Sequence, residues 1–546
     1  MQIFFLLLVM MHVLFPSMVS GSEGVEAVEL RDKDQYHYAS FLFKEEKYLS
    51  SAMEFGRLIE FFPASPLISD AQYKMAEAYL MAGMYKEAYE QFYLYLWNFP
   101  KGKYALKSIV KKGLAFDLAR GSYPSILTPS VEHSKPSMLE ANKSGAIRAV
   151  QILLFDALSY EEIEKDIKGL KEKGFNTLIL RVFHNKGDRV YPFVSTTKTS
   201  GVYFQTKHAP VIGDVLGRFI DIAHKHGLKI FAWMTTRYAD YGIEGRTDIR
   251  CKSYNFAMDD LKECRGLDLF AEEAVSHLEA IYQDLALYSI DGILFQDDLV
   301  LKHNEGFGKN AELLYLKDKG SRLIPANLYT KIQPLENGKY KVAYSSEFWE
   351  WSYWKNKRLI NVAKRLMDVV RDKNPKVKFA INLMYESVSN PKGALAWLSQ
   401  SLEEALKTDF DLYAIMAYHR QIQGELSLSY PDILQFISRM TRDALDKIKV
   451  PEKLIMKVQL VDWKTSKGLS RTEISDILHG ILKEGQVSIA VVPYRKNLPV
   501  DELFAYYPDT ATASVAFKRI PRRRGRSDGE GVQISTLRSP LKNQRR

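Results

Sequence analysis

The chain has 546 residues, 46% of them hydrophobic and 26% charged, a length at which one core stops growing and two or more domains are expected. This composition excludes collagen, wholesale disorder and a polytopic membrane protein, and two cysteines exclude a disulfide-dense scaffold and a four-cysteine zinc site. The formal charge is +10, but residues 518–546 hold ten Lys/Arg against Asp528 and Glu530, so most of the excess is a tail property and does not mark the body as a nucleic-acid binder.

In chain order, residues 2–16 (QIFFLLLVMMHVLFP) are almost wholly apolar and are followed by Ser17, Ser20, Gly21 and Ser22. An apolar stretch of about 7–15 residues ending in small residues reads as a secretory leader, here 1–21. The alternative, an uncleaved anchor, wants about 20 apolar residues. No cysteine follows the run, which excludes a bacterial lipoprotein, and no later segment is long and apolar enough to span a bilayer. The expectation is an exported chain, periplasmic or associated with an outer membrane.

A repeat follows. Phe62-Pro63 recurs as Phe99-Pro100, Phe55 as Phe92 and Tyr48 as Tyr85, all at a shift of 37, with Ala39, Ala76 and Gly113 in line. Small residues at helix crossings, aromatics between helices and a proline after each pair resemble tetratricopeptide repeats over 30–120. Helices are expected at 32–45, 48–61, 68–81, 85–98 and 105–119. Such a module has no chemistry of its own and presents a face to a protein partner. Residues 121–147 are rich in Ser, Pro and Gly and read as a linker.

From Arg148 the texture alternates. Apolar strand candidates are 148–155, 177–183, 229–235, 291–297, 378–385, 412–418, 454–460 and 488–494, with helical stretches such as 160–173, 211–226, 268–288, 353–373, 394–407 and 471–484 between them. Near-continuous apolar strands alternating with helices imply a parallel sheet buried on both faces. Eight such units predict an α/β fold, a (β/α)8 TIM-type barrel over 148–517. A doubly wound open sheet would carry a glycine-rich first turn, which the residues after Phe155 do not supply. Residues 518–546 read as a disordered basic tail.

In a barrel the chemistry sits at the carboxyl ends of the strands. Those ends carry Arg181 and His184, Trp233 leading to Tyr238, Asp297 and Asp298, Tyr385 and Glu386, Tyr418 and His419, and Gln459 leading to Asp462 and Trp463. Rings that stack on pyranose faces beside carboxylates are what a sugar polymer demands. His184 and His419 lack metal-ligand spacing, so no metal and no cofactor are expected.

Gly201-Val-Tyr203-Phe204 with Ala209-Pro210, Lys229-Ile-Phe-Ala-Trp233-Met234, and Asp291-Gly-Ile-Leu-Phe-Gln-Asp297-Asp298 resemble the C-terminal glycoside hydrolase domain of PgaB/HmsF proteins. So do Asn390-Pro391 with Trp397, Asp411-Leu-Tyr-Ala-Ile-Met-Ala417, and Gln459 with Asp462-Trp463. The resemblance covers 148–495. It implies cleavage of partially deacetylated poly-β-1,6-N-acetylglucosamine, an amino-sugar exopolysaccharide of biofilms. The deacetylase half of that family is not visible in this chain. Gln296 stands where the family usually has His, and His303 falls in a stretch where the family is acidic, while Glu305 keeps one acid.

Asp298 shares strand parity with Gly292, Leu294 and Gln296, and DGxxxxxD resembles the strand-4 pattern of chitinases. Asp298 is therefore read as the general acid, with Asp297 orienting it or touching substrate and Glu305 as a lesser acid. Tyr418 would hold a 2-acetamido group. Tyr203, Trp233, Tyr238, Tyr385, Trp463, Arg181 and His184 are candidate substrate contacts. Cys251 and Cys264, the only cysteines, are read as a disulfide, with two unlinked thiols as the alternative. The functional expectation is a glycoside hydrolase. The alternatives are a non-catalytic polysaccharide-binding or export scaffold on the same barrel, and a pure protein-interaction scaffold.

Overall fold

The computed structural model describes residues 32–121, 145–335 and 339–496. The leader 1–21, the interior of the linker and the basic tail 518–546 lie outside the described residues. Five helices open the described chain: α1 (Asp32–Lys44), α2 (Tyr48–Phe61), α3 (Ile68–Met81), α4 (Tyr85–Asn98) and α5 (Ala105–Gly121). Each packs on the next. Ala39 lets α2 approach so that Phe55 and Leu58 bury fully, and Ala76 and Ala88 do the same around Phe92. Small residues at a crossing allow close approach, and the aromatics fill what remains.

Eight parallel strands then close into a barrel: β1 (Arg148–Ile152), β2 (Thr177–Arg181), β3 (Lys229–Met234), β4 (Gly292–Phe295), β5 (Lys378–Met384), β6 (Leu412–Met416), β7 (Leu454–Gln459) and β8 (Ser488–Val492). The fold is thus the expected TIM-type barrel behind a helical region. Neighbours in the ring follow chain order, and β1 pairs with β8 through Arg148↔Ile489. The flanking helices include α6 (Tyr160–Glu172), α7 (Leu216–Lys225), α8 (Glu272–Leu285), α9 (Ser346–Arg371), α10 (Tyr430–Ile448) and α11 (Arg471–Leu482). Four of them start at a serine whose side chain accepts a backbone N–H of the first turn: Ser159, Ser345, Ser429 and Ser470. A cap of this kind satisfies one of the orphan donors of a helix start.

The single helix expected at 394–407 is two short ones, Pro391–Leu398 and Leu402–Ala405. Ser399 takes a left-handed conformation and donates its hydroxyl to the Leu301 carbonyl, and Ser401 caps the second piece. The long connection after β3 holds the hairpin Arg250–Asn255/Asp260–Leu267, stapled by the Cys251–Cys264 disulfide and extended by Glu305–Phe307.

The helical region docks on the barrel through α1 and α2. Tyr38 and Phe41 meet Trp349 and Tyr353 of α9. The buried Lys392 ammonium donates to Gln35 Oε1 at 3.3 Å, and Ser50 donates to Glu403 at 2.6 Å. No helix among the described residues is long and apolar enough to cross a membrane.

Candidate active site

β4 ends at Phe295, and the chain turns out of the ladder through Gln296 into Asp297 and Asp298. The two carboxylates go to different places. Asp298 is buried and accepts from Thr235 Oγ1 (2.6 Å), Thr236 Oγ1 (2.7 Å), the backbone N–H of Thr236 (3.0 Å to each oxygen) and that of Tyr238 (2.9 Å). Every one of these bonds runs into the carboxylate, which ties down the segment leaving β3. Asp297 instead lines a depression at the carboxyl ends of the strands. Burial pushes its pKa up to about 6, with the neighbouring Asp298 charge adding and Lys457 opposing.

The depression is built from most of the ring. β1 contributes Gln151, β3 Trp233, β5 Asn382 and β7 Lys457, while Tyr418 stands just past β6 and Trp463 past β7. Lys457 Nζ, fully buried, donates to Asn382 Oδ1 at 2.9 Å, and Asn382 donates to the Phe295 carbonyl at 2.9 Å. Burial lowers the Lys457 pKa to about 8 against the pull of Asp297. The Tyr418 and Trp463 rings meet edge to face at 5.6 Å, and burial pushes the Tyr418 hydroxyl well above its usual range. Three polar atoms at this place are buried without a hydrogen-bond partner among the described residues: Gln151 Oε1, Trp233 Nε1 and Gln296 Oε1. Buried polar groups are normally satisfied, so such a cluster marks a place for a polar ligand or water. Among the described residues that line the depression, Asp297 is the one carboxylate.

The other candidate residues do not line it. Glu305 is held below its ordinary range: burial would raise it, but Arg237 (Nη1 to Oε2, 2.8 Å) and Lys302 outweigh burial. Arg181 pairs with Asp188 at 3.1 Å, and His184 Nδ1 shares a hydrogen bond with Tyr203 OH at 2.9 Å, with burial lowering the imidazole. Tyr238 borders a separate groove, with the Arg265 guanidinium 4.2 Å from its ring centre. Tyr385 OH donates to Glu425 at 2.9 Å, and beside it Glu386 is pushed up to about 7 by burial, with Glu425 adding. His419 bonds Glu473, Asp462 accepts two backbone N–H groups of its own turn, and Gln459 holds the backbone N–H of Arg420. His303 is fully buried among Phe256 and Trp397, which pushes its pKa down to about 3. Among the described residues no group of three or more His, Cys, Asp or Glu is arranged so that it could hold a metal ion.

Gln151, Asn382 and Lys457 carry no motif. The available signal was a polar residue interrupting each of three apolar runs, Gln151 in RAVQILLF, Asn382 in KFAINLMY and Lys457, with Gln459, in LIMKVQL, since a buried polar group is retained only where something satisfies it.

A family model described as hypothetical glycosyl hydrolase family 13 matches residues 162–491. Among solved structures, the PgaB (BpsB) glycoside hydrolase domain from Bordetella bronchiseptica matches with a TM-score of 0.51 at 21% identity, covering 67% of this chain and 96% of that chain. The β-amylase catalytic domain from Paenibacillus polymyxa matches with a TM-score of 0.44 at 12% identity, covering 66% and 97%. No curated protein matches the sequence.

Proposed function

The chain belongs to hypothetical glycosyl hydrolase family 13, and from that premise we propose that it cleaves a partially deacetylated poly-β-1,6-N-acetylglucosamine-type exopolysaccharide with Asp297, rather than Asp298, as the general acid. The observation that carries this reading is the Asp297 carboxyl, pushed up to about 6 inside an aromatic-walled depression. A general acid must hold its proton near the working pH and stand open to substrate. Asp298 spends its oxygens on four donors, one of them shared between both oxygens.

With one carboxylate lining the depression, the reading departs from the two-carboxylate scheme and takes the substrate-assisted route. Asp297 gives its proton to the bridging oxygen as the C1–O bond breaks and its electrons pass to that oxygen. The carbonyl oxygen of the sugar's own 2-acetamido group bonds to C1. Water then opens the cyclic intermediate and returns a proton to Asp297. Trp233 and Trp463 offer faces to the pyranose rings, and Tyr418 steadies the acetamido group. The N-terminal helices serve as a tetratricopeptide-like partner surface. The chain works outside the cytoplasm, where the Cys251–Cys264 bond persists.

The test is mass spectrometry of products from partially deacetylated poly-β-1,6-N-acetylglucosamine. Asp297→Asn lowers turnover by roughly 10²–10⁴-fold with binding retained, and Tyr418→Phe costs most on acetylated units. Near-normal turnover by Asp297→Asn removes it as the acid. Binding without turnover by the unaltered protein selects the non-catalytic polysaccharide-binding scaffold.

A further inference from the structure

The outer face of α5 is apolar where a terminal helix of a stacked array should be polar. Leu106 is 80% exposed, Val110 71%, Ile109 53% and Leu114 48%, and at spacings of three and four they share one side of the helix. A Cβ placed on Gly113 would meet nothing within 4 Å.

The shift of 37 residues says what this face is for. In the first unit, Gln35 donates to Glu54 at 2.7 Å, Tyr36 packs on Phe55 with ring centres 5.5 Å apart, and Ala39 is fully buried. In the second, Gln72 donates to Gln91 at 2.7 Å, Tyr73 packs on Phe92 at 6.0 Å, and Ala76 is fully buried. Every one of these contacts is made by the first helix of a pair with the second. At the same register α5 presents Ile109, Val110 and Gly113. It is the first helix of a third pair, with the receiving side already formed. The repeat pattern is not continued in the sequence downstream. That stretch has Thr128 and Pro129 at the places of Glu54/Gln91 and Phe55/Phe92, with Pro124 and Pro136 close by, and proline lacks the backbone N–H that a helix interior uses and clashes with the preceding turn.

We infer that this face receives an amphipathic helix of a partner protein, with its apolar ridge flanked by acidic residues. The charges around the face choose among occupants. Lys107 and Lys112 sit over the Tyr104 and Tyr93 rings and have no ion pair among the described residues. A second copy would bring the same lysines against them, and the chain's own tail is strongly basic. Carboxylates beside the apolar ridge would meet both ammonium groups and speed encounter.

The experiment uses the full chain and two fluorescent 14-residue helical probes. Both carry the apolar face of α4 centred on Phe, one with Glu and one with Lys at the flanking positions. Anisotropy titration is expected to show the Glu probe binding at least about tenfold tighter than the Lys probe, with the gap shrinking in high salt. Val110→Glu, at an exposed position, removes binding with the circular dichroism spectrum unchanged. The double variant Lys107→Glu/Lys112→Glu reverses the preference between probes. Equal affinity for the two probes, failure of both, or binding untouched by Val110→Glu overturns the inference. So does a dimer in sedimentation that Val110→Glu dissociates, since the face then belongs to a second copy.

Discussion

Asp297 and Lys457 set each other's protonation, and the pair makes a measurable claim. As the proposed general acid, Asp297 acts while protonated, so turnover is expected to fall as pH rises through about 6. The Lys457 charge opposes the upward shift. Lys457→Met therefore moves the alkaline limb of the pH–rate profile to higher pH, and a limb that stays put separates the two groups. The same carboxyl has a stability signature. Its folded pKa lies above the ordinary 3.8, so the fold favours the protonated form. The handicap is absent below the unfolded pKa and grows as pH rises through about 6, reaching about 3 kcal/mol. Asp297→Asn carries no such handicap and should melt higher than the unaltered protein at about pH 7, with the gain gone at about pH 3. An equal offset at both pH values would mean that the substitution acts through packing. The different placement of Asp297 and Asp298 was not legible from strand parity. The β4 ladder stops at Phe295, and alternation carries no information once the chain has left the ladder. Only the donors from Thr235, Thr236 and Tyr238, some 60 positions away, separate the two acids.

Elements were more legible than roles. All eight barrel strands lie inside the expected apolar runs because strands buried on both faces leave no polar alternation to misread. The runs overshoot at their carboxyl ends, where Phe295 or Met416 is the last paired residue and the next few bend into the mouth. The break at Ser399 escaped because nothing local announces a left-handed serine. It is fixed by the Leu301 carbonyl, which arrives from another strand's loop. The hairpin Arg250–Leu267 belongs to the same class of long-range construction. Its Cys251 sulfur lies 3.6 Å from Arg237 Nη1, and Arg237 pairs with Glu305. Replacing both cysteines by serine should lower stability by about 3 kcal/mol on the chain-entropy estimate, a drop of about 4 °C in Tm for a barrel of roughly 350 residues with about 2.1 cal/mol/K of unfolding entropy per residue. A melting curve unchanged by the double substitution would show that the Arg237–Glu305 pair holds the hairpin unaided.

At the scale of the whole molecule, the helical region and the barrel share buried surface. Trp349 of α9 is fully buried, with its ring 5.0 Å from Tyr38, and Lys392 is buried beside Gln35. A barrel produced from residue 145 onward would expose Trp349 and Tyr353 together with a half-desolvated amine. It is expected to precipitate, or to bind a hydrophobic dye that the full chain does not. A soluble, dye-silent barrel would show that the docking is dispensable to folding.

Closure of the ring has a consequence in time. The Ile147 N–H and the Ser488 hydroxyl that receives it are 341 residues apart, and β1 has no second neighbour until β8 has been made. A chain emerging from a ribosome therefore keeps β1 as an open edge almost to its last described residue. It becomes a ring only in a final, cooperative step, slow by the measure of loop closure. Up to that moment the free edge of β1 can pair with a strand of another chain, and afterwards it cannot.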